Sequence, residues 1–336
     1  MTILRTHNLT IGYNSKEGRT EVLKGLNLSL NRGEVVCLIG ANGKGKSTLL
    51  RTLAGTQPPL EGSVDIEGKP LSILSKKDLA LMLSIVYTDR TSTGALTVEE
   101  LTALGRQPHT GFFGHLSKAD RDVVEASMRA TGILHKRLSL CAQLSDGERQ
   151  KAMIAKALAQ ETPIIFLDEP TAFLDVASKI DTMQLLHDLA VEQNKAVLLS
   201  THDISQALML ADRLWLIDAG QHLEAAPTED LILSGKLDLL FNSQEIRFDI
   251  HSGSFSRQCV GEHSVDIVEG DASTAHWCAN AMKRNGIAID KKSTITIKPI
   301  APNNIIIYIN GKMKKTESVG ELTHFILRYF KEYETK

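Results

Sequence analysis

Short runs of consecutive apolar residues are the clearest pattern along this chain, and three of them predict buried parallel strands. They occupy residues 35–39, 163–167 and 196–200. Helical segments are expected between them, including residues 49–54 and 151–160. Strands that alternate with helices indicate an α/β fold.

The end of the chain, about residues 243–336, has a different pattern and predicts a separate α+β domain. A helix is expected over residues 273–283. Residues 293–298 alternate in polarity like a half-buried strand, and Pro299 is expected to close that strand.

Two further signals lie near the C-terminus. Asn310-Gly311 separates two strand-like segments, which predicts a hairpin with a tight type I′ turn. Residues 318–321, Ser-Val-Gly-Glu, resemble a capping box that leads into a final amphipathic helix. This domain is therefore expected to fold, although it carries no motif for chemistry.

A glycine-rich segment lies between the first strand and the first helix. It fits the pattern G-x-x-x-x-G-K-[ST] and consists of Gly40, Ala41, Asn42, Gly43, Lys44, Gly45, Lys46, Ser47 and Thr48. Glycines let backbone N–H groups approach a polyphosphate, and the helix dipole favours the anion. Lys46 adds a mobile positive charge, and the Ser47 hydroxyl can ligate Mg2+. Lys44 either contacts phosphate as well or is solvated.

Polar residues also follow the other two predicted strands. The second strand ends in Asp168 and Glu169. Two acids there are costly unless a cation or a reaction needs them, so one can hold Mg2+ while the other acts as a base. The third strand leads to His202, which is suited to contact a γ-phosphate or is an ordinary part of the sheet.

A second anion-binding helix end is predicted at Ser145, Asp146 and Gly147, which precede the helix at residues 151–160. One chain cannot easily bring both helix ends onto one phosphate group, whereas two chains packed head to tail can. The sequence therefore predicts a symmetric homodimer with two shared sites.

Together these motifs resemble those of the ATP-binding-cassette (ABC) ATPases, in order and in spacing, over about residues 1–235. The resemblance implies a P-loop NTPase cassette over residues 1–240, with a helical subdomain at about residues 88–162. It also implies hydrolysis of ATP, with Mg2+ as the metal ion.

The resemblance also assigns roles to single residues. Tyr13 matches the aromatic residue that stacks on adenine, although a partly buried aromatic at a strand end is the alternative. Asp175 matches the D-loop acid, and residues 145–147 match the signature that completes the partner's site. The remaining matches are the Walker A loop at residues 40–48, the Walker B acid Asp168, the catalytic base Glu169 and the switch histidine His202, with Lys46 counted among the catalytic residues.

Two positions depart from the family pattern. A Gln that helps to sense Mg2+ and water usually follows the strand at residues 83–87, but here Thr88 and Asp89 follow it. Either of these could take over part of that role. The signature commonly has Gly where this chain has Asp146, and we expect that carboxylate to N-cap the helix.

Residues 96–114 and 211–216 resemble the ABC ATPases that drive importers of ferric siderophores, haem and cobalamin. The implied partners are integral-membrane permease subunits, contacted near residues 88–113, and a periplasmic or surface substrate-binding protein that acts through the permease. Phe112 and Phe113 either anchor the permease or pack under their own loop. The implied location is the cytoplasmic face of the cell membrane. The alternative is a soluble, non-transport ABC ATPase that acts as an ATP-dependent interaction switch.

Composition narrows these possibilities further. The net charge of −2 argues against a broad nucleic-acid-binding surface, so no nucleic-acid partner is expected. The opening residues lack a secretory apolar region, and no run of about eighteen apolar residues occurs, which predicts a cytosolic protein. A metal-sensing role for the last domain rests on residues whose spacing fits no compact zinc pattern, so a dimer-stabilising or regulatory role is preferred. Those residues are His251, Cys259, His263, His276 and Cys278.

Overall fold

The computed structural model describes residues 1–15, 18–87, 95–111, 114–172, 174–241, 246–250, 252–257 and 263–334. The chain divides into two units, Met1–Asn242 and Ser243–Lys336. No helix within the described ranges is long and apolar enough to cross a membrane. Several residues singled out from the sequence lie outside the described residues: Thr88, Asp89, Phe112, Phe113, His251 and Cys259.

The first unit is built on a six-stranded sheet that is parallel except at one edge. Across the sheet the strands are β11 (Leu223–Pro227), β10 (Arg213–Ile217), β4 (Val35–Ile39), β9 (Ala196–Thr201), β8 (Ile164–Asp168) and β7 (Leu83–Val86). Only β11 is antiparallel to its neighbour. Every residue of β4, β8 and β9 is buried, which explains the apolar runs within them. The three strands predicted from those sequences are confirmed.

A second, antiparallel sheet shares its core with the first. Its strands are β1 (Thr2–Ser15), β2 (Gly18–Leu26), β3 (Ser29–Asn31), β5 (Glu61–Ile66) and β6 (Lys69–Pro70). Helix α1 (Lys46–Leu53) contributes Leu49, Leu50 and Leu53 to one buried cluster that also contains residues of both sheets. Because β4 and α1 both pack into this core, the start of α1 lies close to the end of β4.

The α-helices of this unit that follow α1 are α2 (Lys76–Met82), α3 (Val98–Ala103), α4 (Lys118–Ala130), α5 (Asp146–Ala159), α6 (Val176–Val191), α7 (Ile204–Leu210) and α8 (Thr228–Leu233). Helices α3, α4 and α5 form a layer that buries a separate apolar cluster. Arg106 joins parts of the layer, because its Nε donates to Asp120 Oδ1 at 2.9 Å and its Nη1 donates to the Ala159 carbonyl at 2.8 Å. One buried guanidinium thus ties the start of α4 to the end of α5.

The second unit contains a five-stranded sheet with two helices on one face. Its elements are the hairpin β12 (Ile246–Asp249) and β13 (Ser254–Arg257), the sheet strands β14 (Ser264–Ile267), β15 (Ala288–Ile289), β16 (Ile295–Ala301), β17 (Asn304–Ile309) and β18 (Lys312–Thr316), and the helices α9 (Ala272–Arg284) and α10 (Val319–Glu334). The sheet order is β15-β14-β16-β17-β18. Apolar residues of β16 and β17 form one core with both helices.

The turn predicted at Asn310-Gly311 is confirmed. Both residues have left-handed backbone angles, with φ of 48° and 75°, and Ile309 pairs directly with Lys312.

The strand predicted at residues 293–298 was expected to end at Pro299, and this is wrong, since β16 continues through Pro299. The pairing of β16 with β14 stops at residue 297, so no residue of β14 lies opposite Pro299. The N–H group that proline lacks is therefore not needed for a hydrogen bond to that strand.

The two predicted helices of this unit are also present. Helix α9 begins at Ala272, one residue earlier than expected, because the Asp271 side chain accepts from the Thr274 amide and caps the helix. At α10 only half of the predicted capping box forms. The Ser318 hydroxyl accepts from the Glu321 amide at 3.1 Å, but the Glu321 carboxylate accepts from the Glu317 amide instead.

Candidate functional site

The glycine-rich segment forms a loop between the end of β4 and the start of α1, as predicted. Gly45 has a φ of 100°, and a Cβ at this position would lie 2.3 Å from Val22 Cγ1, so a side chain would fit neither the backbone nor the space. No side chain caps α1, whereas α3, α4, α5 and α6 are all capped by side chains. The first amides of α1 are therefore left for an external acceptor, as at an anion site.

Lys46 crosses this loop and is buried. Its Nζ donates to the Gly40 carbonyl at 2.7 Å and to the Ala41 carbonyl at 3.3 Å, and the residue is only 7% exposed. Burial lowers the pKa of the ammonium, while the negative charges of Glu169 and Asp168 oppose that shift. No ion pair among the described residues includes Lys46, so a buried positive charge stands at the loop with no carboxylate in contact. Such a group fits an anionic ligand.

Asp168 is the last residue of β8 and lies next to the loop. Its Oδ1 accepts from the Ser47 hydroxyl at 3.3 Å and from the Ser200 hydroxyl at 2.5 Å. A carboxylate and a hydroxyl in contact are the oxygen ligands that Mg2+ uses, usually together with waters and substrate phosphates. The residues present therefore fit a magnesium ion, which Ser47 and Asp168 would hold.

Glu169 follows with a left-handed backbone, φ 48°, which is unfavourable for a residue with a side chain. Its amide is held twice, by the Ser200 carbonyl and by the Ser200 hydroxyl, each at 3.1 Å. This anchoring leaves the carboxylate partly exposed, with Oε2 lying 3.2 Å from His202 Nδ1.

Ser200 was missed from the sequence as a functional residue. It contacts both acids, because its hydroxyl donates to Asp168 and accepts from the Glu169 amide. The available signal was a polar residue at the end of an otherwise apolar run in β9. Only the pairing of β8 with β9 reveals that this hydroxyl lies beside the two acids.

The side chains at the edge of the loop are placed as follows. The Tyr13 hydroxyl is hydrogen bonded to Thr48 Oγ1 in α1, and the residue is 46% exposed. The Lys44 ammonium donates to the Ala219 carbonyl at 2.9 Å instead of being solvated. Asn42 and Gly43 are exposed at the tip of the loop.

The signature segment lies at the start of α5. Ser145 is the N-cap: its hydroxyl accepts from the Glu148 amide at 3.2 Å, and the Glu148 carboxylate accepts from the Ser145 amide at 2.9 Å. The prediction that Asp146 caps this helix is therefore wrong, because Asp146 is the first helical residue and the Ser145–Glu148 pair already forms a capping box. Gly147 follows within the first turn.

Asp175 is the N-cap of α6. Its Oδ1 accepts from the Ser178 amide at 2.8 Å, and this bond lowers the pKa of the Asp175 carboxyl. The residue thus fixes where α6 begins, close in sequence to the acids at the end of β8.

The structure brings five predicted residues together at one edge of the six-stranded sheet: Lys46, Ser47, Asp168, Glu169 and His202. It does not connect the signature to them. No hydrogen bond among the described residues joins Ser145 or Gly147 to residues 40–48.

Three candidate metal ligands of the second unit are described. His263 stacks on Phe330, with ring centroids 4.1 Å apart, and His276 meets Trp277 edge to face. Cys278 is buried, and burial raises the pKa of its thiol to about 11. Within the described residues, no group of three or more His, Cys, Asp or Glu side chains is placed to hold a metal ion.

Comparisons with known proteins follow the division of the chain. A family profile described as "ABC transporter" matches residues 23–172, and one described as "Iron ABC transporter C-terminal domain" matches residues 267–327. The chain is 45% identical over 215 residues to the uncharacterized ABC transporter ATP-binding protein MJ0873 of Methanocaldococcus jannaschii, covering 64% of this chain and 73% of that protein. It is 35% identical over 238 residues to the ferric enterobactin transport ATP-binding protein FepC of Escherichia coli, covering 71% and 86%. Among solved structures, the dimeric ABC transporter cassette MJ0796 superposes with a TM-score of 0.61 at 28% identity, covering 67% of this chain and 99% of that one.

Proposed function

Because the chain belongs to the ATP-binding proteins of ABC transporters, which are ATPases coupled to transport, we propose that it powers uptake of an iron-siderophore, haem or cobalamin-like substrate through a membrane permease. The observation that carries this proposal is the match of both the cassette and the iron-type C-terminal profile within one chain. The FepC relative supports the siderophore class in particular. A non-transport interaction switch is not favoured by these relatives.

In this proposal ATP binds by its phosphates at the loop of residues 40–48. The uncapped amides of α1 and the buried Lys46 ammonium contact the β- and γ-phosphates, because both are donors without a carboxylate partner. Ser47 and Asp168 hold Mg2+, which supplies positive charge that offsets the charge of the phosphates. Tyr13, which is 46% exposed, stacks on the adenine. Lys44 adds positive charge at the loop, with its ammonium held by the Ala219 carbonyl.

Glu169 is the proposed general base. Its anchored backbone holds the carboxylate at the sheet edge, where it can accept a proton from the water that attacks the γ-phosphate. His202, whose Nδ1 lies beside that carboxylate, contacts the γ-phosphate and so reports whether it is present.

A head-to-tail homodimer completes each site. The phosphate loop of one chain faces Ser145 and Gly147 of the other, so that ATP is held between two helix N-termini. Support comes from the dimeric structure of the MJ0796 cassette, to which the chain is similar. Asp175, at the cap of α6, is assigned to the same interface.

The remaining assignments concern domains and partners. Residues 1–240 are the nucleotide-binding domain, with residues 88–162 as the helical subdomain that contacts the permease. Residues 243–336 are an accessory domain with a dimer-stabilising or regulatory role. The permease receives substrate from a periplasmic or surface substrate-binding protein, and the ATPase lies at the cytoplasmic face of the membrane. No nucleic acid takes part.

The catalytic assignment is tested with Glu169→Gln. The variant should bind ATP like the wild type while its turnover falls about 10²- to 10⁴-fold, because only the proton acceptor is lost. Glu192→Gln, at the exposed C-cap of α6, is the matched control and should be unaffected. Steady-state ATPase rates and ATP titration separate the two effects. Near-normal hydrolysis by Glu169→Gln would remove this residue from the mechanism.

The transport assignment is tested separately in proteoliposomes that contain the chain with its co-expressed permease. Labelled ferric siderophore, haem and cobalamin are offered with and without internal ATP. We expect ATP-dependent uptake of one of these substrates and its loss in Glu169→Gln. An active ATPase that drives uptake of none of them would contradict the proposal.

A further inference from the structure

The second unit contains a cavity that no step of the proposed transport cycle uses. It has a volume of about 390 Å3 and lies between the β17–β18 hairpin and α10. Ile307 and Ile309 form an apolar floor, and Phe325 and Tyr329 of α10 form an aromatic wall. Sites for small molecules commonly have this size and lining.

Two lysines give this apolar cavity a positive rim. Lys312 pairs with Ile309 and Lys314 pairs with Ile307 across the hairpin. Both lysine side chains therefore project from the same face of the sheet as these two isoleucines, which is the face that carries α10. The Lys314 ammonium lies 3.9 Å from the centroid of the Phe325 ring. Among the described residues, no aspartate or glutamate lines the cavity. Two positive charges at the rim of an apolar and aromatic cavity favour a ligand that is both flat and negatively charged.

The cavity also has a polar end that can orient such a ligand. Asn310 Nδ2 donates to the Tyr329 hydroxyl at 3.3 Å, which places an amide and a phenol at the turn of the hairpin. Asn310 has the left-handed backbone of the I′ turn, and its side chain is held by the bond to Tyr329. An apolar floor, an aromatic wall, a cationic rim and a polar end are the parts of a built site.

We propose that this cavity binds a planar aromatic carboxylate, whose ring packs against Tyr329 and the apolar floor of Ile307 and Ile309 while its carboxylate pairs with Lys314 and Lys312. The chain therefore carries a small-molecule site in its C-terminal unit, in addition to the nucleotide site. The ammonium of Lys314 already lies over the ring of Phe325, which holds this cation at the rim before the ligand enters.

The test is equilibrium dialysis of the full-length protein with 2-naphthoate as the probe. Two relatives of the probe separate its features: 2-naphthamide keeps the rings without the charge, and octanoate keeps the charge without the rings. We expect saturable binding of 2-naphthoate and weaker binding of both relatives. No saturable binding of 2-naphthoate, or equal binding of the neutral amide, would overturn the proposal.

Matched variants locate the site. Lys314→Met should weaken 2-naphthoate binding about tenfold or more, since it removes an ion pair in a partly apolar place. Lys315→Met is the control, because Lys315 pairs with Ile306 and projects from the face of the sheet opposite to the cavity. Phe325→Leu should also weaken binding, because it keeps an apolar side chain but removes the ring that holds the Lys314 ammonium. Equal losses in Lys314→Met and Lys315→Met would show general charge attraction and overturn the assignment of the cavity.

Discussion

The hydroxyl of Ser200 gives a sharp test of how the nucleotide site holds its two acids. It donates to Asp168 Oδ1 at 2.5 Å and accepts from the Glu169 amide at 3.1 Å. Ser200→Ala removes both contacts and keeps the second bond of that amide, to the Ser200 carbonyl. We therefore expect the variant to fold, with both carboxylates less firmly positioned.

The magnitude follows from the kind of bond that is lost. A hydrogen bond to a charged carboxylate contributes about 1.5–3 kcal/mol. If that contribution is needed in the transition state, kcat falls about ten- to hundred-fold. The loss should be smaller than in Glu169→Gln, because the acid itself is still present. The affinity for ATP should change little, since Ser200 contacts neither the glycine-rich loop nor Lys46.

The assay is steady-state ATP hydrolysis together with ATP titration, on wild type, Ser200→Ala and Ser84→Ala. Ser84 is the matched control, because it is buried in β7 of the same sheet and its hydroxyl accepts from Thr162 Oγ1 at 3.0 Å. Ser84→Ala should lower stability but keep kcat. A wild-type kcat in Ser200→Ala would show that the Ser200 hydroxyl does not position the two acids for hydrolysis. An equal loss of kcat in Ser84→Ala would show the same.

Two predictions concern stability. The Ser117 hydroxyl and amide, with the Arg106 guanidinium, lower the pKa of Asp120 from 3.8 to about 2. Because the folded pKa lies below the unfolded one, this carboxylate stabilises the fold above about pH 4 and the stabilisation is lost as the pH falls toward 2. In urea melts, the difference in free energy of unfolding between wild type and Asp120→Asn should therefore shrink from about pH 5 to about pH 3, and a constant difference would contradict this. Gly311→Ala should destabilise the C-terminal unit by about 1 kcal/mol because φ is 75° there, measured by hydrogen exchange of β17 and β18. Gly320→Ala, inside α10, should be neutral or stabilising, and equal effects of the two substitutions would contradict the account.

The sequence predicted those features that are set by neighbouring residues along the chain. Buried strands show as apolar runs because both faces of a parallel sheet are covered. The Asn310-Gly311 turn was predictable because few other residues accept two left-handed positions in succession. The loop of residues 40–48 was predictable because the strand before it and the helix after it adjoin it in the sequence.

Features that depend on contact between strands were not predictable. The role of Ser200 follows from the pairing of β8 with β9, and the left-handed backbone of Glu169 follows from the two bonds that hold its amide. The error at Asp146 is different in kind. Ser145 and Glu148 stand three residues apart, so the capping box that displaces Asp146 was visible in the sequence.

In the proposed dimer, ATP is held between residues 40–48 of one chain and Ser145 and Gly147 of another. The sedimentation-equilibrium mass of Glu169→Gln with and without ATP tests this arrangement, because slow hydrolysis keeps the nucleotide bound. ATP should double the mass, and adding Gly147→Asp should prevent the doubling. A Cβ at Gly147 is tolerated within the chain, with Leu174 Cδ2 nearest at 3.4 Å, so that variant should still fold. A mass that ATP leaves unchanged, or a doubling that survives Gly147→Asp, would show that ATP does not join two chains at these segments.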